Sequence, residues 1–209
     1  MKNLTKAQLK KLKLATIEYV NNHCIVIPLI EKRPLIKGWT SLEYEPTVND
    51  VEKWFDEFGE KITGVGLRTG DVESMFVLDL EVEQDLSKLD LPDTGVRAKS
   101  GRDGIHYYFK DVGELSEKIT SIDLRKMGID GDIKGNNQYI VAPPSIHPKT
   151  GKEYEWVEPL GLDELPTCPD WLERLLTTYQ SEKEKTDWKG VITEPIEEGS
   201  RHTTAVKIA

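Results

Sequence analysis

Two acids at the end of an apolar run carry the strongest chemical signal in the sequence, in Met75-Phe76-Val77-Leu78-Asp79-Leu80-Glu81. Side chains alternate along an extended strand, so Asp79 and Glu81 share one face and Leu80 lies opposite. Carboxylates this close repel and raise each other's pKa unless a cation sits between them. Hard, oxygen-coordinated Mg²⁺ or Mn²⁺ suits such a pair. The bland alternative is a solvated strand end that Glu83 and Asp85 continue. A third acid, Asp132, stands in Gly131-Asp132-Ile133-Lys134-Gly135 at the end of another strand-like run. Carboxylates converging from adjacent strands are what a two-metal phosphoryl-transfer site requires. Asp130 shares strand parity with Asp132, and the pattern leaves both open.

Ser100-Gly101-Arg102-Asp103-Gly104-Ile105-His106 is a second candidate. A glycine-rich turn lets backbone N–H groups approach a phosphate, and Arg102 adds charge-assisted bonds. The alternative is a hairpin turn with a structural histidine entering the returning strand. Tyr107, Tyr108 and Trp39 beside basic residues suit base stacking, with core packing as the competing reading. Other chemistries fit badly. The sequence has no P-loop, no H-E-x-x-H helix and no G-x-S-x-G elbow. His23, His106, His147 and His202 are too scattered for a histidine-based metal cluster.

The elements that must position these groups can be read in order. Thr5-Lys6-Ala7-Gln8 is a capping box that opens a helix with Leu9, Leu12, Ile17 and Val20 as its stripe. Cys24 to Ile30 reads as an edge strand at best, because of Pro28. Thr47 caps a second helix with Val48, Val51, Trp54, Phe55 and Phe58 on its inner face. Three strand pairs follow, each around a glycine turn: Ile62–Leu67 with Met75–Leu80, Gly95–Lys99 with Ile105–Phe109, and Ile129–Ile133 with Gln138–Ala142. Asp170 opens a last helix with Trp171, Leu172, Leu175 and Leu176, and Ser181–Lys185 reads as a charged linker. Helices flanking clustered hairpins predict an α+β fold around a mostly antiparallel sheet.

The chain of 209 residues can bury a core without disulfides or a structural metal. At 37% hydrophobic and 31% charged, with a net charge of −9, it is no uniformly basic nucleic-acid coat, although a local basic groove is allowed. Two distant cysteines, Cys24 and Cys168, predict neither a zinc site nor a disulfide scaffold. No apolar run approaches the roughly 20 residues that span a bilayer, and no signal peptide is visible. A cytoplasmic location is expected, with no membrane partner.

Together the motifs resemble the bifunctional primase–polymerase (prim-pol) family of the archaeo-eukaryotic primase superfamily. The resemblance rests on Lys32-Arg33-Pro34 with Gly38-Trp39, then Gly64-Val65-Gly66-Leu67-Arg68-Thr69-Gly70, then Val77-Leu78-Asp79-Leu80-Glu81. Ser100-Gly101 through His106 follows, in a loop one residue longer than the family's pattern. Asp132-Ile133-Lys134-Gly135 and Val141-Ala142-Pro143-Pro144-Ser145 complete the ordered set, over roughly residues 20 to 160.

The resemblance implies two modules around an active-site cleft, one of them like an RNA-recognition motif. It implies DNA primase and polymerase activity on a single-stranded DNA template with NTP or dNTP substrates, in the replication of a plasmid, phage or other mobile element. Asp79, Glu81 and Asp132 would be the catalytic acids and hold two divalent ions, Mg²⁺ or Mn²⁺, with no zinc. Ser100, Gly101, Arg102, His106 and Lys134 would contact the nucleotide. Lys32, Arg33, Lys37, Arg97, Lys99 and Arg125 would guide the template. The rival readings are a metal-dependent nuclease and a silent single-stranded nucleic-acid binding module. Residues 1–178 are expected to form the catalytic domain and 179–209 a linker with the start of a helical region. There Glu198-Gly199-Ser200-Arg201-His202 resembles the junction that precedes a helical domain, often with a helicase farther on.

Overall fold

The computed structural model describes residues 4–41, 43–70, 75–81, 89–92, 95–110, 120–158 and 165–181. Both expected capping boxes open helices. In α1 (Lys6–Asn21) the Gln8 N–H donates to the Thr5 hydroxyl while the Gln8 side chain accepts the Thr5 N–H. In α2 (Val48–Phe58) Thr47 and Asp50 exchange the same bonds. The buried stripe of α1 is Leu12, Thr16 and Tyr19, with Leu9, Ile17 and Val20 at its margins. Hydrophobicity alone misplaced it because two of these residues carry hydroxyls. Thr16 donates back to the Leu12 carbonyl and Tyr19 to the Pro143 carbonyl, so both can be buried without a lost hydrogen bond.

The strands form two antiparallel sheets. One has the order β2-β1-β3-β9, with β1 at Val26–Ile30, β2 at Arg33–Pro34, β3 at Gly64–Thr69 and β9 at Gln138–Ala142. The other has the order β10-β5-β6-β4-β8-β7. Its strands are β4 (Met75–Leu80), β5 (Arg97–Lys99), β6 (Ile105–Lys110), β7 (Ser121–Asp123), β8 (Gly131–Lys134) and β10 (Glu155–Glu158).

Two of the three expected strand pairs are therefore not paired along their length: β3 and β4 meet only through the Gly70–Met75 bridge, and β8 and β9 lie in different sheets. The chain crosses from the smaller sheet to the larger between β3 and β4, and back between β8 and β9. A glycine turn looks the same in sequence whether the chain doubles back or crosses over. The third pair, β5 with β6, is a hairpin. Strand β1 is also not an edge, since β2 covers its outer side. The Pro28 carbonyl accepts from Leu35 N, so its missing N–H faces the two-residue β2 and costs the pairing with β3 nothing.

Between the sheets lies a core of Val26, Val65 and Leu67 from one, and Met75, Val77 and Tyr108 from the other, closed by α1 and α2. The outer face of the larger sheet (Phe76, Leu78, Tyr107, Phe109 and Ile133) packs on Trp171, Leu172, Leu175 and Leu176 of α3 (Asp170–Ser181). That helix takes in Ser181, expected to begin a linker. Residues 182–209, which hold the rest of that linker and the junction motif, lie outside the described residues, as do Glu83 and Asp85. Among the described residues no helix is long and apolar enough to cross a membrane.

Candidate active site

One row of residues runs across the larger sheet, strand by strand. Trp156, Ala98, His106, Asp79, Asp132 and Asp123 are successive partners in register. Asp79 and Asp132 are thus direct neighbours on one face, where opposed Cβ atoms stand roughly 4.5–5.5 Å apart. Glu81 follows just past the end of β4 on the same side, and its N–H donates to the Asp130 carbonyl. Leu80 points the other way, into the core against α3. Asp132 lies within β8, whereas Asp130 precedes the strand and is exposed.

Two glycines bring neighbouring strands onto the acid-bearing backbone. A Cβ on Gly131 would stand 2.4 Å from the Asp79 carbonyl oxygen, and one on Gly104 2.6 Å from that of Leu80. Neither position has room for a side chain.

The acids do not face one another uncompensated. His106 Nε2 lies 3.3 Å from Asp79 Oδ1, and Lys134 Nζ 3.2 Å from Asp132 Oδ2. Burial by itself would raise the Asp79 carboxyl, but His106, Lys134 and Lys32 together outweigh it and hold it below the usual carboxylate range. The sequence expectation of mutual repulsion is corrected for Asp79, because bases on β6, on β8 and in the β1–β2 turn reach it.

Lys32, Ser100, Arg102, His106, His147 and Tyr154 surround Asp79 and Glu81 in a narrow cleft of about 40 Å³. The turn between β5 and β6 is folded on itself. Ser100 Oγ accepts from Arg102 N at 3.3 Å and Gly104 N at 3.1 Å, and the Ser100 carbonyl accepts from Asp103 N. Those amides are therefore not an open phosphate cradle. A hydroxyl that accepts twice keeps its own proton to donate, so Ser100 itself is the donor the turn offers. Gly101 is buried behind the turn. The side chain of His106 is 4% exposed, and its Nδ1 is buried with no hydrogen-bond partner among the described residues.

Of the six basic residues expected to guide a template, Lys32 is at the cleft. The Tyr139 hydroxyl holds its carbonyl at 2.7 Å. Arg33 and Lys37 are exposed nearby in sequence. Arg97 and Lys99 flank Ala98 in β5 and so point to the opposite face from His106. They pair with Glu158 at 2.5 Å and Asp103 at 2.9 Å. Arg125 binds Asp123 through two nitrogens, at 2.8 and 3.0 Å, at the far end of the acid row. Tyr107 and Tyr108 are buried, so neither is presented for base stacking, while Trp39 is half-buried and stands perpendicular to the Tyr139 ring.

Sequence reasoning missed His147, Tyr154 and Asp123. A lone histidine has no period, and the spacing of His147 from the other histidines suggests no common site. Its one signal was its place two residues after the Val141–Ser145 motif.

The oxygen donors of Asp79, Glu81 and Asp132 suit a hard divalent cation by chemistry and register. Among the described residues, however, no three His, Cys, Asp or Glu side chains stand together as ligands. A cation would have to draw Asp79 and Asp132 away from His106 and Lys134.

A groove of about 620 Å³ opens beside the cleft, between α1 and β10, and shares Tyr154 with it. Leu14, Tyr19, Trp156 and two prolines line it, with Lys11 paired to Glu153. It is larger than the cleft but holds none of the row's acids, so the chemistry is assigned to the cleft.

The family described as bifunctional DNA primase/polymerase, N-terminal (Prim-Pol), matches residues 16–171, which take in the whole acid row and the cleft. No curated protein matches the chain.

Proposed function

The chain belongs to the bifunctional DNA primase/polymerase family, and on that premise we propose that its cleft joins nucleotides on a single-stranded DNA template by a two-metal mechanism. The observation that carries this reading is the register of Asp79 opposite Asp132, with Glu81 next along the same face. In this reading the two sheets are the two modules of a prim-pol fold, one of them RNA-recognition-motif-like.

Asp79, Glu81 and Asp132 would hold the two divalent ions, Mg²⁺ or Mn²⁺. Bound there, such ions acidify an attacking hydroxyl and neutralise charge on the triphosphate and the departing pyrophosphate. The protein's own groups do the rest. Ser100 donates its hydroxyl proton, and Arg102 and Lys32 bring positive charge to the phosphates from the cleft's rim. His106 keeps Asp79 ionised and oriented beside the nucleotide. Lys134, released from Asp132, is free to meet a phosphate. Pockets for ligands of this size run to roughly 300 Å³ or more, so the exposed Lys32 and Arg102 side chains must move aside on binding. Lys32, Arg33, Lys37 and Arg125 are the candidates for a template path. Replication of a mobile element is the setting this reading proposes.

The test is incubation with a primed single-stranded template, labelled nucleotides and Mg²⁺ or Mn²⁺. Nucleotide-dependent lengthening of the primer supports the reading. Shortened or nicked DNA without any nucleotide requirement would replace it with a nuclease.

A further inference from the structure

A second histidine lines the cleft, and the mechanism above gives it no task. His147 is 2% exposed and sits with Lys32, Arg102, Asp79 and Glu81. Its Nδ1 accepts the Thr150 N–H at 3.3 Å. A backbone N–H cannot rotate away, so a proton on Nδ1 would meet it head-on, and Nδ1 must be the bare nitrogen. The ring proton is therefore on Nε2. The Thr150 hydroxyl, 3.2 Å from Nδ1, donates to the Gly101 carbonyl at 2.7 Å and so ties the ring's support to the β5–β6 turn.

The two turns are in close contact. A Cβ on Gly101 would stand 2.3 Å from His147 Cβ, so only glycine lets the histidine in. Thr150, with Pro148, Lys149 and Gly151, lines a separate pocket that His147 also borders, and it holds the Nδ1 edge of the ring. Nε2 is the ring nitrogen left to serve the acid cleft, which His147 lines as well, and it has no hydrogen-bond partner among the described residues. A ring N–H at the wall of a cleft, with no partner in the protein, is a donor that a bound acceptor can take. Burial, and after it Lys32, Arg102 and Lys149, lowers the imidazole pKa and favours the neutral ring with its single donor.

We propose that His147 donates its Nε2–H to a phosphate oxygen of the bound nucleoside triphosphate, between Lys32 and Arg102, with Thr150 as a positioning residue that fixes the tautomer. The flanking cations select an anion, and the inference rests on the nucleotide-transfer reading of the same cleft. The donor is neutral, so it adds direction where the cations add charge.

The test is single-nucleotide addition to a primed template by the 209-residue chain, with KM and kcat measured separately and thermal melts alongside. His147→Phe keeps the ring's bulk and loses the donor. It should raise the KM for nucleotide about tenfold to a hundredfold, the worth of one bond to a charged group. His147→Gln places an amide N–H near the position of Nε2–H and should recover most of that loss. Thr150→Val should raise KM less, with kcat nearly unchanged. An active enzyme whose His147→Phe variant keeps the wild-type KM overturns the inference. So does a His147→Gln variant as impaired as His147→Phe at equal thermal stability. A wild-type chain that adds no nucleotide under any condition is a different result: it removes the nucleotide-transfer reading, and this inference falls with it.

Discussion

Asp79 and Asp132 face each other across β4 and β8, yet each carboxylate is engaged by a base, Asp79 by His106 and Asp132 by Lys134. The two acids are thus compensated by the protein's own bases, and a cation bound between them would exchange partners with His106 and Lys134. This reverses the sign of a stability effect that the sequence alone suggests.

If the acids mainly repelled each other, removing one would stabilise the metal-free protein. The Asp79 carboxyl is instead held below the usual range by His106, Lys134 and Lys32 against the effect of burial. Its contribution to stability is therefore present above the ordinary carboxylate pKa of about 3.9 and is lost as pH falls through the lower folded value. Asp79→Asn should melt below wild type at pH 7 in chelator, and the gap should close as the pH is taken below about 4. A higher melting temperature for Asp79→Asn at pH 7 would return the row to the repulsion picture.

Gly131→Ala should damage the site more than the fold. The new Cβ meets the Asp79 carbonyl at 2.4 Å, and β8 must move away from β4 to admit it. Overpacking of this kind costs about 1–3 kcal/mol and would carry Asp132 away from Asp79. Gly128→Ala is the control, since its φ of 81° strains the chain but nothing lies within 4 Å. Nucleotide addition should fall in Gly131→Ala well beyond Gly128→Ala at comparable thermal stability. Equal activities would mean that the spacing of the two strands is not critical.

Tyr108 is fully buried between the sheets, and its hydroxyl has no hydrogen-bond partner among the described residues. An unpaired buried hydroxyl costs about 1–3 kcal/mol. Tyr108→Phe should therefore raise stability by roughly 1 kcal/mol in urea unfolding without changing nucleotide addition. A loss of stability would reveal a partner for the hydroxyl.

Much of this arrangement was legible in the sequence because its signals are local. Thr5 and Thr47 announced their helices through short-range capping bonds, and alternation placed Asp79 and Glu81 on one face with Leu80 behind. What was not legible depends on pairing between distant strands. The crossings from β3 to β4 and from β8 to β9 carry the same glycine turns as a hairpin. Arg97 and Lys99 looked like members of a basic track until their strand's register turned them to the opposite face. Asp123 joins the acid row only through its pairing with Asp132, and His147 reaches the cleft only because Gly101 leaves room for it.

The central claim is that Asp79, Glu81 and Asp132 form one catalytic set. It is tested most directly by primer extension on a single-stranded template with Mn²⁺, comparing Asp79→Asn, Glu81→Gln, Asp132→Asn and Asp130→Asn, each shown by melting to be folded. The account predicts that the first three lose nucleotide incorporation by about a thousandfold or more, as expected for groups that act as a unit, while Asp130→Asn stays active. Near-normal extension by folded Asp79→Asn would contradict it, and an inactive Asp130→Asn beside an active Asp132→Asn would move the third acid to Asp130.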